Sequence, residues 1–300
     1  MSAELEGVVN ATLRCSFKVW GFGIGPALNG LVRAGHGEYV RDLMSAAAAR
    51  PPGDPTDHLV PVEALVELGL DGPWAKAFRS AVVDAVRPVP GRPRVHRPDF
   101  PPWQRTIWVD CLHTDGPGLA LLGEDEAAVE LTEEACAALQ RDDGLFDHGY
   151  DVAAGRGNGV AWGRGQGWAL LGLTGVLAHV PDDRLARRLR RLVEALAACE
   201  RDGRWGTVVD RPDAPVELST SAYVAHAVGA AVRHGLVDAA YADLADRALA
   251  AALAGLKNGA LPTSEATPVG TVESYLDRPL GLHPWGQGPL LLALLDRRQA

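Results

Sequence analysis

The sequence predicts an all-α fold, an (α/α)6 barrel in which six inner helices are surrounded by six outer helices. Apolar residues recur with helical periodicity along most of the 300 residues, and the alternation typical of strands is nearly absent. Segments that are apolar and small on all sides alternate with amphipathic, charged segments. Because an all-round apolar helix must be buried and a one-sided helix lies at the surface, this alternation predicts two concentric layers.

About twelve helices are predicted, and each is delimited by turn residues or by a change in periodicity. Most of the apolar helices end at a glycine that suits a left-handed helix cap, at Gly35, Gly69, Gly123 and Gly235. The charged helices present one apolar face, as in DDRLARRLRRLVEALAACERD over 182–202. In chain order the predicted helices cover residues 3–13, 22–34, 37–49, 57–69, 73–87, 110–122, 125–140, 164–179, 183–200, 219–234, 238–256 and 286–297.

Repeated helical hairpins of this kind close into a ring, which we predict as one domain over 1–300. The first outer helix is expected beside the last inner helix, which otherwise lacks a partner. Two long connections, 88–109 and 257–285, are rich in Pro, Gly and aromatic residues, and loops of this length in a compact domain are usually functional. The polar residues at the starts of inner helices are therefore expected to gather at one mouth of the barrel: Asp57, Asp110, Arg164 and Ser219.

Composition excludes several classes of function. The net charge is −9 and the 29 Lys and Arg residues are scattered, which gives a nucleic-acid backbone no attractive field. No apolar run approaches the roughly 20 residues of a membrane span. The four cysteines are far apart, so neither a disulfide framework nor a zinc knuckle is predicted. With no secretory signal pattern visible, we expect a cytoplasmic protein. No cofactor is expected, because no GxGxxG motif follows a predicted strand.

One segment, DGLFDHGYDVAAGRGNGVAWGRGQGW over 143–168, combines glycines with aromatic and charged residues. Glycine lets the backbone approach a ligand closely, and a Trp face offers a flat platform for a sugar ring. Arg164 lies between Trp162 and Trp168, and its planar fork suits a carboxylate. Two Trp residues at this spacing are more often core residues, but an arginine between them favours a site for a sugar acid.

Two aspartates stand at the predicted starts of inner helices. Asp110 lies in WVDCLHTDGPGLALLG and Asp57 in PTDHLVPVEALVEL, and each is equally compatible with a helix N-cap. If the barrel brings both to one cleft, mutual repulsion raises the pKa of one of them, as a general acid or base requires. The helix dipole opposes that shift, so the residue that holds the proton stays open.

Several ordered motifs resemble the unsaturated uronyl hydrolases of glycoside hydrolase families 88 and 105. The most specific are WVDCLHTDGPGLALLG, GLFDHGYD followed by WGRGQGW, and GRWGTVVDRPDAPVELSTSAYVAHAV. The resemblance implies an (α/α)6 barrel that needs no metal and removes the terminal unsaturated uronic acid that polysaccharide lyases leave on oligosaccharides. It implies protonation of C4 of the C4=C5 double bond, addition of water at C5, and opening of the resulting hemiketal.

The same resemblance assigns roles to particular residues. Asp110 corresponds to the acid/base, and Asp57 corresponds to a second aspartate that tunes it. His96, in RVHRPDF, corresponds to a histidine of the rhamnogalacturonyl enzymes, and Asp151 is a nearby polar residue without a defined role. The substrate-holding set is His148, Trp162, Arg164 and Trp168.

The sequence also departs from these families. HTDGP replaces an apolar, Met-containing stretch, and Asp115 would repel an anionic substrate unless its side chain turns away. Gln166 is typical of the glucuronyl group, whereas DHGYD is typical of the rhamnogalacturonyl group, so the glycan stays open, as does the choice between monomer and homodimer. Two alternatives remain: a sugar epimerase of the same fold, whose histidine bases would come from His96, His113, His148 and His226, and a non-catalytic carbohydrate-binding barrel.

Overall fold

The computed structural model describes residues 2–18 and 20–298 and confirms the (α/α)6 barrel. Four residues of the predicted domain, Met1, Val19, Gln299 and Ala300, lie outside the described residues. No helix in 2–18 and 20–298 is both long and apolar enough to cross a bilayer. In chain order the helices are α1 (Ala3–Leu13), α2 (Gly25–Arg33), α3 (Gly37–Ala48), α4 (Val62–Glu67), α5 (Trp74–Val83), α6 (Asp115–Leu121), α7 (Asp125–Leu139), α8 (Gly163–Leu177), α9 (Asp183–Cys199), α10 (Ser219–Arg233), α11 (Ala242–Ala254), α12 (Glu273–Leu276) and α13 (Pro284–Arg297).

The inner ring consists of α2, α4, α6, α8, α10 and α13, and the outer ring of α1, α3, α5, α7, α9 and α11. Helix α13 packs against both α2 and α10, which closes the ring, and α1 packs on α13 as expected from the sequence. The closing contact requires glycine: a Cβ at Gly288 would lie 2.4 Å from the backbone nitrogen of Ala27. Backbones this close bring α2 and α13 into direct contact at this point of the ring.

Asp296 near the end of α13 ties three inner helices together. Its carboxylate accepts hydrogen bonds from Arg33 at the end of α2 and from His226 and Arg233 of α10, at 2.7 to 2.8 Å. Burial by itself would raise the pKa of Asp296, but the hydrogen bonds and charges of His226 and Arg33 outweigh burial and hold it well below its usual range. This cluster therefore stabilises the ring only while the carboxylate is ionised.

Two predicted inner helices, 57–69 and 110–122, are interrupted in the structure. Each divides into a 3-10 turn and a short α-helix: Asp57–Leu59 before α4, and Val109–His113 before α6. Proline explains both interruptions. Pro61 stands directly before α4, and Pro117 lies in the first turn of α6, where its missing N–H removes no helical hydrogen bond.

In the described part of the chain, five short strands connect the long loops to the barrel, and none was predicted. The strands β1 (Thr106–Trp108), β2 (Gly149–Asp151) and β3 (Arg156–Gly157) form an antiparallel sheet, and β4 (Thr263–Ser264) pairs with β5 (Leu280–Gly281). In the first sheet Trp108 is opposite Gly149. Strands of two or three residues are too short to show alternation in a sequence. Their effect is to place the 88–109 connection beside the DHGYD segment.

Candidate active site

A cavity of about 350 Å³ opens at the end of the barrel where the inner helices begin. Its walls are mostly aromatic, and three ionisable side chains reach it. Asp110 precedes α6, and Arg164 lies in the first turn of α8, so these two predicted residues meet at one mouth as expected. The described residues that line the cavity are Phe22, Trp103, Trp108, Asp110, His148, Trp162, Arg164, Trp168, Ala266, Thr267, Pro268, Val269 and Trp285.

Asp110 is positioned by the junction between β1 and the 3-10 turn that follows it. Trp108 is still extended, and the turn begins at Val109, whose N–H donates to the carbonyl of His148 at 2.9 Å. This backbone bond continues the β1–β2 pairing and brings the two side chains together. Oδ2 of Asp110 lies 3.1 Å from Nε2 of His148, and the carboxylate side chain is 14% exposed toward the cavity.

The hydrogen bonds around Tyr275 fix the tautomer of His148. The Tyr275 hydroxyl accepts hydrogen bonds from the Gly270 N–H and from Nδ2 of Asn158, both at 3.2 Å, so its own proton points to Nδ1 of His148 at 2.6 Å. With Nδ1 accepting, Nε2 carries the hydrogen and donates to Asp110. Burial raises the pKa of Tyr275 to about 12, which keeps this hydroxyl protonated at neutral pH.

This arrangement gives Asp110 a fixed donor on one oxygen. Among the described residues, His148 alone hydrogen-bonds to the Asp110 carboxylate, through Oδ2. The indole ring of Trp162 packs against the imidazole of His148, with the two ring centroids 4.3 Å apart. The second oxygen, Oδ1, is therefore available to exchange a proton with a ligand in the cavity.

Arg164 is a buried cation, 2% exposed, whose guanidinium lies over two indole rings. Its Cζ is 4.5 Å from the Trp162 centroid and 5.5 Å from that of Trp285. Nη1 donates to the carbonyl and hydroxyl of Ser264, and Nη2 donates to the Glu265 carbonyl, at 2.8 to 3.0 Å. The described residues supply no acceptor for its two other N–H groups and no carboxylate within 4 Å.

The electrostatic consequence is a buried guanidinium beside the cavity that no described carboxylate contacts directly, although Glu217 lies nearby. Burial lowers the pKa of Arg164, and the nearby carboxylate of Glu217 opposes that effect. An arginine stays protonated in proteins, so the charge persists and favours an anionic ligand. Three of the five guanidinium N–H groups already donate to Ser264 and Glu265, so two remain for the carboxylate of a substrate.

Trp168 forms part of the cavity wall from inside the barrel. Its ring stacks on His113 at 4.2 Å and contacts Tyr223 edge-on at 4.8 Å. The indole Nε1 is buried and has no hydrogen-bond partner among the described residues. A buried N–H normally has an acceptor, so this indole is an exception among the residues of the cavity wall.

The structure does not bring Asp57 to the cavity, contrary to the expectation from its position in the sequence. Its carboxylate is 3% exposed, pairs with Arg50 at 2.8 Å, and accepts hydrogen bonds from the backbone N–H groups of Gly53 and Asp54. These three donors satisfy the buried charge and hold the loop before α4. In the structure Asp57 therefore holds this loop and does not line the cavity, and its catalytic role stays a prediction.

His96 is also placed away from the cavity. Its Nε2 lies 2.5 Å from Oδ2 of Asp115, and both side chains line a separate small cavity that also borders Trp108. Asp115 has thus turned away from the candidate substrate, which removes the repulsion that its position in the sequence suggested. The prediction that His96 contacts substrate is not supported by this geometry.

Gln166 and Asp151 of the 143–168 segment do not line the cavity but hold the backbone on either side of His148. Gln166 accepts from the Phe146 N–H and donates to the Phe146 carbonyl, both at 2.8 Å, so it anchors the strand that leads to His148. Asp151 caps the turn after β2 through the N–H groups of Ala153 and Ala154. Neither residue lines the cavity, and Tyr275 and Asn158, which support His148, were missed by the sequence analysis.

Comparison with known proteins places these observations in a family. The model of glycosyl hydrolase family 88 matches residues 101–300. Comparison with curated protein sequences found no match.

Solved structures of similar fold cover nearly the whole chain. A possible member of the GH105 family from Klebsiella pneumoniae has a TM-score of 0.85 at 21% identity, covering 99% of this chain and 92% of that one. A possible member of the same family from Salmonella enterica has a TM-score of 0.83 at 20% identity, covering 99% and 93%. An unsaturated glucuronyl hydrolase from a Bacillus species has a TM-score of 0.68 at 16% identity, covering 99% and 95%. At these identities the likeness establishes a shared fold.

Proposed function

The chain belongs to glycosyl hydrolase family 88 and is a glycoside hydrolase, and on that premise we propose that it removes a terminal 4,5-unsaturated uronic acid from lyase-generated oligosaccharides. One observation carries the proposal: among the described residues that line the cavity, Asp110 is the single carboxylate. Ordinary retaining and inverting glycosidases need two carboxylates that flank the scissile bond. A site with one carboxylate instead suits a reaction that begins with protonation of a double bond.

In the proposed reaction Asp110 donates the proton from Oδ1 to C4 of the unsaturated ring. The cation that forms at C5 shares its charge with the ring oxygen, and water adds at C5 as Asp110 takes up a proton from it. The hemiketal then opens and releases the neighbouring sugar. His148 contributes by donating its Nε2–H to Oδ2, which stabilises the carboxylate while it is ionised between the two proton transfers.

Recognition of the uronic acid is assigned to Arg164 and the aromatic wall. The buried guanidinium retains two N–H donors and has no directly bonded carboxylate, which suits a substrate carboxylate held in a cavity of low polarity. The indole rings of Trp103, Trp108, Trp162 and Trp168 form part of the cavity wall, which suits the apolar side of a sugar ring. Arg164 is the one lysine or arginine among the described lining residues, so we infer that the leaving sugar is uncharged rather than sulfated.

The activity is tested by incubating the protein with unsaturated disaccharides and following the ultraviolet absorbance of the conjugated double bond. We expect the absorbance to decline with at least one pectin-derived substrate and more slowly with sulfated products. No decline with either pectic or glycosaminoglycan products would refute the proposal.

Replacing the acid provides the second test. Asp110→Asn removes the transferable proton but keeps the shape of the side chain, so kcat is expected to fall at least about 10³-fold, as general acid/base catalysis contributes roughly 10²–10⁴-fold per proton transfer. Asp142→Asn, an exposed aspartate in the loop before Gly144, is the matched control. Comparable kcat values for the two variants would assign the acid to another residue.

A further inference from the structure

A second cavity, of about 30 Å³, borders Trp108, whose side chain lines both cavities. Three side chains with metal-ligating atoms converge on it: His96, Cys111 and Asp115. One ligand atom from each lies within 4.8 Å of the others. Cys111 and Asp115 are 3% and 8% exposed, so the convergence occurs inside the protein rather than at its surface.

Unpartnered polar atoms surround this point. Among the described residues, Nδ1 of His96 is buried without a hydrogen-bond partner, and so are both ring nitrogens of His58, which is 1% exposed. The two imidazole rings lie 5.2 Å apart. Because a buried polar atom without a partner costs about 1–3 kcal/mol, the unpartnered Nδ1 of His96, which lines the cavity, and the nitrogens of the neighbouring His58 indicate a missing polar partner.

We propose that His96, Cys111 and Asp115 bind a divalent transition-metal ion of the zinc type. An imidazole nitrogen, a thiolate and a carboxylate oxygen are the donor set that Zn²⁺ takes in proteins, with a fourth position left for water or for His58. The Cys111 thiolate and the Asp115 carboxylate together carry two negative charges, which balance the ion. On binding, the Cys111 proton leaves to solvent and the hydrogen bond between His96 and Asp115 is replaced by metal–ligand bonds.

The positive charge nearest the site does not prevent cation binding. Arg94 lines the same cavity, but its Nη1 lies 3.6 Å from a carboxylate oxygen of Glu134. Glu134 also pairs with Arg87, so it does not fully cancel the charge of Arg94. The two negative charges of the Cys111 thiolate and the Asp115 carboxylate still exceed the charge of this one guanidinium. The site also differs from the substrate cavity, which Cys111, His96 and Asp115 do not line.

The ion would join three separate segments. His96 belongs to the 88–109 connection, Cys111 follows Asp110 in the 3-10 turn, and Asp115 begins α6. Binding therefore fixes the turn that carries Asp110 without contacting substrate. Its presence is measured by metal occupancy, so failure of this proposal and failure of the hydrolase proposal are distinguishable.

Cobalt(II) is the spectroscopic probe for this site. The purified chain is stripped with a chelator and titrated with Co²⁺ without oxygen or added thiols. We expect one equivalent to bind with a thiolate-to-cobalt charge-transfer band. Cys111→Ser should lose the band and bind Co²⁺ more than about tenfold more weakly, since even outer-shell partners of a metal contribute about 10- to 100-fold to affinity. Cys136→Ser, the control, removes a buried thiol of α7 and should leave both unchanged.

A second variant keeps the test decisive if Cys111→Ser does not fold. Asp115→Asn retains the thiol, so we expect the charge-transfer band with a weakened affinity, and circular dichroism verifies the fold. Zn²⁺ should raise the Tm of the wild-type chain and raise it less in Asp115→Asn. A wild-type chain that shows no charge-transfer band, or a band that is abolished by Cys136→Ser instead, would overturn the assignment and leave a water-filled cavity.

Discussion

Replacing Tyr275 with phenylalanine removes one hydroxyl from behind the proposed acid. That hydroxyl donates to Nδ1 of His148 and accepts from Asn158 and the Gly270 N–H. Without it, Nδ1 loses the donor that makes it an acceptor, and the imidazole is free to carry its hydrogen on either nitrogen. The tautomer with hydrogen on Nδ1 places a lone pair of Nε2 against the Asp110 carboxylate, 3.1 Å away.

The size of the fall in kcat follows from weakening the hydrogen bond that Nε2 of His148 donates to the Asp110 carboxylate. A hydrogen bond to a charged group contributes about 1.5–3 kcal/mol, which corresponds to a kcat lowered roughly 10- to 150-fold. The KM should change little, because Tyr275 does not line the cavity. The pair of unsatisfied donors left in Asn158 and Gly270 also destabilises the fold, by about 1–3 kcal/mol each where water cannot reach them.

Three measurements separate this positioning role from a merely structural one. Steady-state kinetics should show the loss in kcat, and the pH–rate profile should shift, while ¹⁵N resonances of the His148 ring should report a mixed tautomer. Tyr150→Phe is the control, since its hydroxyl is bonded to Arg92 and lies outside the cavity. A Tyr275→Phe enzyme with wild-type kcat and an unchanged His148 tautomer would refute the proposed hydrogen-bond chain.

Three further predictions concern stability. Asp57→Asn should lower the free energy of unfolding by about 2–3 kcal/mol in urea denaturation, because it breaks a largely buried pair with Arg50. A kcat loss as large as that of Asp110→Asn would instead assign Asp57 a catalytic role. Asp296 has a depressed pKa in the folded state, so its contribution to the free energy of unfolding is complete above about pH 5 and is lost toward pH 2. Asp296→Asn should therefore be less stable at neutral pH, and its free energy of unfolding should fall less steeply as the pH is lowered. Gly167→Ala should cost about 1–3 kcal/mol and lower the Tm, since its Cβ would lie 2.3 Å from the Tyr223 ring.

The sequence predicts the barrel well because helices are local and periodic. The predicted helices 164–179 and 219–234 differ from Gly163–Leu177 and Ser219–Arg233 by two residues or fewer at each end. The interrupted helices at 57–69 and 110–122 are the exceptions, although Pro61 and Pro117 are visible signals for the interruption. The short strands have no such signal, because two or three residues are fixed by partners far along the chain.

Asp57 and Asp110 look equivalent in the sequence, and the structure gives them opposite environments. Both begin a segment that leads into an inner helix, which is all that periodicity can show. The difference comes from Arg50, seven residues before Asp57, and from β1, which pairs with β2 and directs Asp110 toward His148. An arginine shortly before an aspartate is a signal that a sequence reading can weigh, whereas the β1–β2 register is not.

Tyr275, His96 and Cys111 show a second limit of sequence reasoning. Tyr275 lies 127 residues from His148 and has no motif of its own, although its place in a long aromatic connection before an inner helix is a weak signal. His96, Cys111 and Asp115 do not match any metal-binding spacing, so the sequence predicted no metal where the fold brings three ligand types together. Sites assembled from several loops depend on tertiary placement, which local patterns do not encode.

The single carboxylate and the buried cation of this cavity satisfy two requirements that otherwise conflict. The proposed substrate is an anion, and an ionised Asp110 would repel it, so the acid must hold its proton when the uronic acid arrives. Arg164 offsets the substrate's charge from a buried position that water cannot screen, which makes binding of the anion compatible with a nearby acid. After proton transfer the charge passes to Asp110, where the Nε2–H of His148 is already oriented toward Oδ2. A second carboxylate in the cavity would oppose both steps, and Asp57 and Asp115 both lie outside it, with Asp57 paired with Arg50 and Asp115 in contact with His96.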